Sequence, residues 1–183
     1  MRIDITAETW NKIMIMGKQL ASGDTSRPVL QGIHIVCDES GVCRAEACDG
    51  YTGGTLNFRA VNDNFVPGEC LIHPQACRKY GRYESPVITL ESDGGNVTFT
   101  DYNGSMTTRA INGDYLDMPR VYPTSDPAGV VYINPAYLEK ILKACKGEKL
   151  VKVEFRRGID PVRIATADFN MLVLPVRSDG KDW

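Results

Sequence analysis

Two histidines, His34 and His73, and six cysteines at positions 37, 43, 48, 70, 77 and 145 are the residues of this 183-residue chain best equipped for nucleophilic or metal chemistry. A catalytic cysteine needs a base within hydrogen-bond reach. His34 sits inside an apolar run that reads as a strand, and His73 stands where a related stretch has a helix-capping Asn134. No C-x-x-C pair occurs, and the thiols show no metal-ligand spacing, so packing of free thiols in a reducing compartment is their expected role. Gly53-Gly54 and Gly94-Gly95 lack the context of a phosphate-binding loop. The chain is therefore expected to be no enzyme and to use no metal and no cofactor.

Recognition chemistry is better represented. Lysine and arginine number 21 against 23 acidic residues, a net charge of −2, so any nucleic-acid contact must come from local clustering. Three predicted helical stretches collect that charge. Residues 6–23 hold Lys12 and Lys18 against Glu8; residues 73–83 hold Arg78, Lys79 and Arg82; residues 135–149 hold Lys140, Lys143, Lys146 and Lys149 against Glu139 and Glu148. All three are net basic, and the rest of the chain is net acidic. A face of this kind suits a phosphate backbone, in a salt-dependent and sequence-blind way. Lysines that merely solubilise helix surfaces would look the same.

The elements that position these residues repeat. Ile3-Asp4-Ile5-Thr6-Ala7, Cys70-Leu71-Ile72-His73-Pro74 and Val131-Tyr132-Ile133-Asn134-Pro135 each run from a strand into a helix, aligning Ile5, Ile72 and Ile133. Helical periodicity follows in Trp10, Ile13, Met14, Gly17 and Leu20, and again in Tyr137, Leu138, Ile141, Leu142 and Cys145, where Asn134 is a cap and Pro135 a first helical residue. The second helix, from 74 to about 80, is short. Three strands are expected after each helix: 33–37, 42–47 and 55–58; 87–91, 97–101 and 106–111; 151–155, 162–166 and 171–176. The fold class is α+β, with three β-α-β-β-β copies and helices on one face of antiparallel sheets. Residues 1–118 form a two-copy domain, 119–129, with Pro119, Pro123 and Pro127, a linker, and 130–183 a lone third copy. A lone copy has no second apolar face to bury against and should pack on the first domain or on another chain.

With 43% hydrophobic and 24% charged residues, the composition is that of a globular protein. No stretch approaches the ~18 apolar residues of a membrane span, and the expected location is the cytoplasm, with no membrane partner. Met1 directly before a good strand is expected to be a natural start.

Several motifs carry a family resemblance. Ser26-Arg27-Pro28-Val29-Leu30-Gln31-Gly32-Ile33, Ala47-Cys48-Asp49-Gly50-Tyr51, the segment from Asn112-Gly113-Asp114-Tyr115 to Arg120-Val121-Tyr122-Pro123, and Leu172-Val173-Leu174-Pro175-Val176-Arg177 resemble the bacterial DNA polymerase III β subunit, the DNA sliding clamp. The resemblance implies the processivity fold, in which paired copies form domains and domains close a ring with helices lining the hole. It implies DNA replication as the setting, duplex DNA as a partner, and DNA-binding residues among Lys12, Lys18, Gln19, Arg27, Arg78, Lys79, Arg82, Lys140, Lys143 and Lys146. It further implies a tether for DNA polymerase or other replication and repair proteins through linear clamp-binding peptides. The peptide pocket of the family matches Leu30, Cys48, Gly50, Tyr51 and Thr52 on one wall, Pro123 between, and Val173, Leu174, Pro175, Val176 and Arg177 on the other. The family's Arg-Leu after the Asp-Gly-aromatic is here Thr52-Gly53, and its usual Thr is Cys48. Read without the family, 172–176 is simply a buried strand.

This chain has no counterpart of the family's first domain or of the first half of its last, which together form the usual subunit seam. A homo-oligomer is expected. Four chains would supply the number of copies in a full ring, whereas pairing of the third copy with its equivalent in a second chain would give a symmetric dimer. The alternative function is a non-ring decoy or accessory module that binds clamp-partner peptides without encircling DNA.

Overall fold

A computed structural model describes residues 1–76, 86–156 and 160–177. The chain divides into two compact bodies, Met1–Tyr122 and Pro123–Trp183. The first body opens with strand β1 (Arg2–Thr6) and helix α1 (Ala7–Leu20), followed by β2 (Ile33–Cys37), β3 (Val42–Cys48) and β4 (Gly53–Arg59). Strand β5 (Gly68–Ile72) and a 3-10 turn (Pro74–Ala76) begin the second copy, which continues as β6 (Val87–Ser92), β7 (Asn96–Asp101) and β8 (Gly104–Arg109) before a short helix α2 (Met118–Val121).

The two copies exchange their first strands. One antiparallel sheet runs β4-β3-β2-β5 and the other β1-β6-β7-β8, so each contains three strands of its own copy and the opening strand of the other. Ile72 lies opposite Ile33, and Ile5 opposite Ile88. Strict alternation puts Ile3, Ile5, Ile88, Leu90, Val97 and Phe99 on one side, fully buried. Helix α1 packs on β1, β3, β4 and β6, and so on both sheets. Its Trp10 meets Phe99 of the second copy with ring centroids 5.0 Å apart. One core therefore serves both copies.

Local chemistry sets the helix ends. The Thr6 side chain accepts a hydrogen bond from the Thr9 amide and caps α1. His73 Nδ1 accepts from the Gln75 amide at 3.1 Å, a capping role like that of Asn134, whose Oδ1 accepts from the Ala136 amide at 2.9 Å. Gly17 is required where α1 crosses β2, because a Cβ there would stand 2.2 Å from Ile33 Cδ1.

The second body contains α3 (Pro135–Ala144), β9 (Lys152–Glu154), β10 (Val162–Ala165) and β11 (Asn170–Val173), the strands forming a sheet in the order β11-β10-β9. Its core is small: Val162, Ile164 and Val173, with Val131, Ile133, Leu138, Ile141 and Met171 packed on them. Three sequence expectations need correction, the first being that β11 ends at Val173 rather than 176, the Val176 amide donating to the Tyr132 carbonyl instead of continuing the ladder. Residues 131–133 form no strand, because no neighbouring strand pairs with them among the described residues. Strand β8 ends at Arg109 rather than 111, since the tight Asp101–Gly104 pairing starts it early and the Ile111 amide turns away to the Leu71 carbonyl. The sequence-predicted second helix falls mostly on residues outside those described.

Candidate partner-binding and nucleic-acid interface

One group of sequence-predicted site residues gathers where β3 ends. A 3-10 turn (Pro28–Gln31), started by Pro28, packs on β3 and presents Leu30, half-buried. Cys48 is buried at the strand end, and its Sγ accepts a hydrogen bond from the Gly50 amide at 3.2 Å. The Asp49 carboxylate accepts from the amides of Tyr51 (2.8 Å) and Thr52 (2.6 Å), closing a tight turn. Those amides, Thr52 foremost, hold the Asp49 carboxyl below its usual range. Gly50 has φ of 94°, left-handed backbone that a side chain would strain. The turn throws Tyr51 outward at 97% exposure, beside an exposed Thr52. Arg27, expected among the DNA-binding residues, lies by this turn, its guanidinium 3.2 Å from where a Gly50 Cβ would be.

The other group lies on the second body. Val173 is buried, whereas Leu172 and Leu174 are each 61% exposed. Pro175 is half-buried, and Val176 and Arg177 are exposed. The Val176 amide donates to the Tyr132 carbonyl at 2.8 Å and fixes the tail. Pro123, the first residue of this body, is exposed. The run 172–176 is thus not the fully buried strand that its composition alone implies.

Five of the residues expected to bind DNA, Lys12, Lys18, Gln19, Lys140 and Lys143, fall on helices α1 and α3. Lys12, Lys18 and Gln19 are exposed, with Lys12 paired to Glu8 at 2.8 Å. On α3, Lys143 pairs with Glu139 at 2.7 Å and Lys140 sits 5.7 Å from the centre of the Tyr137 ring. Lys146 is exposed just beyond the helix. Arg78, Lys79 and Arg82 lie outside the described residues.

Sequence reasoning missed a charged cluster across the first sheet. His34 Nδ1 is 3.0 Å from Glu46 Oε2 and its Nε2 3.0 Å from Glu69 Oε2, while Arg44 Nε donates to Glu46 Oε1 at 2.7 Å. Glu46 is 1% exposed, and the Arg44 guanidinium compensates the buried carboxylate while His34 adds a hydrogen bond. Tyr115 stacks on His34 at 4.9 Å, with burial pushing its hydroxyl pKa up. The hairpin register, which faces His34 with Glu46, was the available signal. Both ring nitrogens of His34 thus face carboxylates rather than a thiol. Burial, reinforced by the neighbouring Cys37 thiol, raises the pKa of Cys43. Among the described residues no His, Cys, Asp or Glu group could hold a metal ion, and no helix is long and apolar enough to cross a membrane.

No family model matches the chain. Its sequence is 25% identical over 150 residues to the β sliding clamps of Streptococcus pneumoniae strains TIGR4 and R6, covering 76% of this chain and 39% of theirs. The fold matches the DNA polymerase III β chain of S. pneumoniae with a TM-score of 0.81 at 18% identity, over 96% of this chain and 49% of that one. The β sliding clamp of Caulobacter crescentus gives 0.77 at 18% identity over 95% and 50%. That of Bacillus subtilis gives 0.76 at 15% identity over 96% and 49%. The chain spans about two fifths of the curated relatives' length (39%). It thus carries the clamp fold of the DNA polymerase III β subunit in a shorter form, and its sequence is similar to the bacterial β sliding clamps.

Proposed function

We propose that this protein is a clamp-like processivity factor that holds duplex DNA against its basic helix surfaces and tethers a DNA polymerase, or another replication or repair protein, by a linear peptide. It does no chemistry. One observation carries the reading: an apolar run that would bury itself in an ordinary strand instead leaves Leu172 and Leu174 each 61% exposed, beside Arg177. Exposed apolar side chains suit a peptide whose two or three anchors supply most of the binding energy. Leu30, Cys48 and Tyr51 at the end of β3 offer a second surface, on the first body.

Two measurements test it. Leu174→Asp should weaken binding of a labelled clamp-binding peptide at least about tenfold by opposing an apolar anchor with a charge; unchanged binding removes the surface from the account. Lys18→Glu with Lys140→Glu and Lys146→Glu should abolish retention on circular duplex DNA, lower the salt dependence of binding and spare the peptide. The pairing of Lys12 with Glu8 and Lys143 with Glu139 favours a second reading, an accessory that captures such peptides without DNA. Peptide binding with no wild-type DNA retention selects that reading.

A further inference from the structure

The three copies share one hydrogen bond that shows what the third is missing. In each, an amide following the last strand donates to the central carbonyl of the opening segment: Val61 to Asp4 at 2.9 Å, Ile111 to Leu71 at 2.8 Å and Val176 to Tyr132 at 2.8 Å. Residues 131–133 are therefore held on one edge as β1 and β5 are. On their other edge β1 pairs with β6 and β5 with β2. Among the described residues no strand pairs with that edge of 131–133, and β9 ends its sheet where β2 and β6 each receive the opening strand of the other copy.

Side-chain exposure follows the same gap. Phe99 pairs with Leu90 on one side and Met106 on the other; Ile164 pairs with Val153 and Met171 in the same way. Val153 thus corresponds to Leu90, and Val151 to Ile88. Leu90 and Ile88 are fully buried, but Val153 is 44% and Val151 40% exposed. The third copy has both a strand to give and an edge to receive one.

We infer that two copies of this chain associate by reciprocal strand exchange, residues 131–133 of each pairing antiparallel with β9 of the other around a two-fold axis. The register follows from Ile3↔Leu90 and Ile5↔Ile88: Val131 faces Val153, Tyr132 faces Lys152 and Ile133 faces Val151. One operation satisfies both edges, as an isologous interface requires. It also closes an apolar sheet edge that would otherwise template aggregation. Leu138, which corresponds to Trp10, then meets the partner's Ile164 as Trp10 meets Phe99.

Light scattering across a concentration range should give twice the chain mass of 20.2 kDa, or a multiple of that pair. Val151→Lys with Val153→Lys alters only exposed positions, so the far-ultraviolet circular dichroism should be unchanged while the mass halves. In a separate variant, Tyr132→Cys with Lys152→Cys should be joined between chains by a short thiol cross-linker, and neither single variant should. A wild-type monomer, a mass untouched by the two lysines, or cross-links confined to single chains would each overturn the inference. None of these readouts involves DNA or peptide, so the result stands apart from that of the proposed function.

Discussion

Trp10, Ile13 and Met14 of α1 are sealed from water, whereas Leu138 and Ile141 of α3 are only half-buried and Leu142 is 49% exposed at the same steps from the anchoring isoleucine. The two stripes are alike in pattern and differ in what lies against them. Helix α1 has two sheets to pack on, one from each copy; α3 has among its neighbours the single sheet of its own body. Amphipathic periodicity reports which face a helix offers. It does not report whether the chain supplies enough surface to cover that face, which is a property of the pair of copies.

The largest expected effect tests that contrast. Trp10→Ala should cost about 3–5 kcal/mol, the range for emptying an aromatic site in a closed core, whereas Leu138→Ala in the isolated chain should cost about 1 kcal/mol because much of its surface is already wet. Urea denaturation of the two variants, each made in the single-chain Val151→Lys, Val153→Lys background, measures the difference, and equal losses there would mean that α3 is as well covered as α1. An intermediate effect is expected at the point where each helix approaches its sheet. Gly17→Ala should destabilise by about 1–3 kcal/mol through overpacking against Ile33. At the corresponding position Cys145, whose thiol donates to the Ile141 carbonyl at 3.3 Å, replacement by Ala should cost about 1 kcal/mol or less.

The smallest effect separates the bodies by acid. Asp24, Asp38, Asp49 and Asp93 in the first body have carboxyl pKa values lowered, mostly by hydrogen bonds from turn amides and hydroxyls. They stay ionised in the fold to lower pH than in the unfolded chain, so their contribution is complete above about pH 4 and drains as pH falls through the folded values. In the second body Glu154 is lowered by Lys152 and Arg163. Salt should therefore blunt the acid response of the second body and leave that of the first nearly intact. Thermal melts at pH 3 and pH 6, with and without added salt, distinguish the two.

Local signals made much of this legible in advance. The repeat was visible from Ile5, Ile72 and Ile133, the cap at Asn134 from its Pro135 neighbour, and the turn at Asp49-Gly50 from its dipeptide, because each depends on residues close in sequence. Strand exchange was not legible. Ile5 and Ile72 look alike as the openings of two copies, and nothing near either says that its partner lies in the other. The exposure of Leu172 and Leu174 was hidden for a similar reason: their type predicts burial, and only the three-stranded sheet shows that one of its faces is uncovered. The position of Arg27 beside Gly50 depends on the path of a loop rather than on any periodicity.

The His34 bridge has a consequence for how the two copies find each other. Its carboxylate partners come from different copies, Glu46 on β3 and Glu69 on β5. A slip of β5 by one residue along β2 would turn Glu69 to the opposite face of the sheet and leave the ring with one carboxylate instead of two. The imidazole thus bridges the two copies only in the observed register. The register of the exchange is thereby tied to a polar contact as well as to hydrophobic burial.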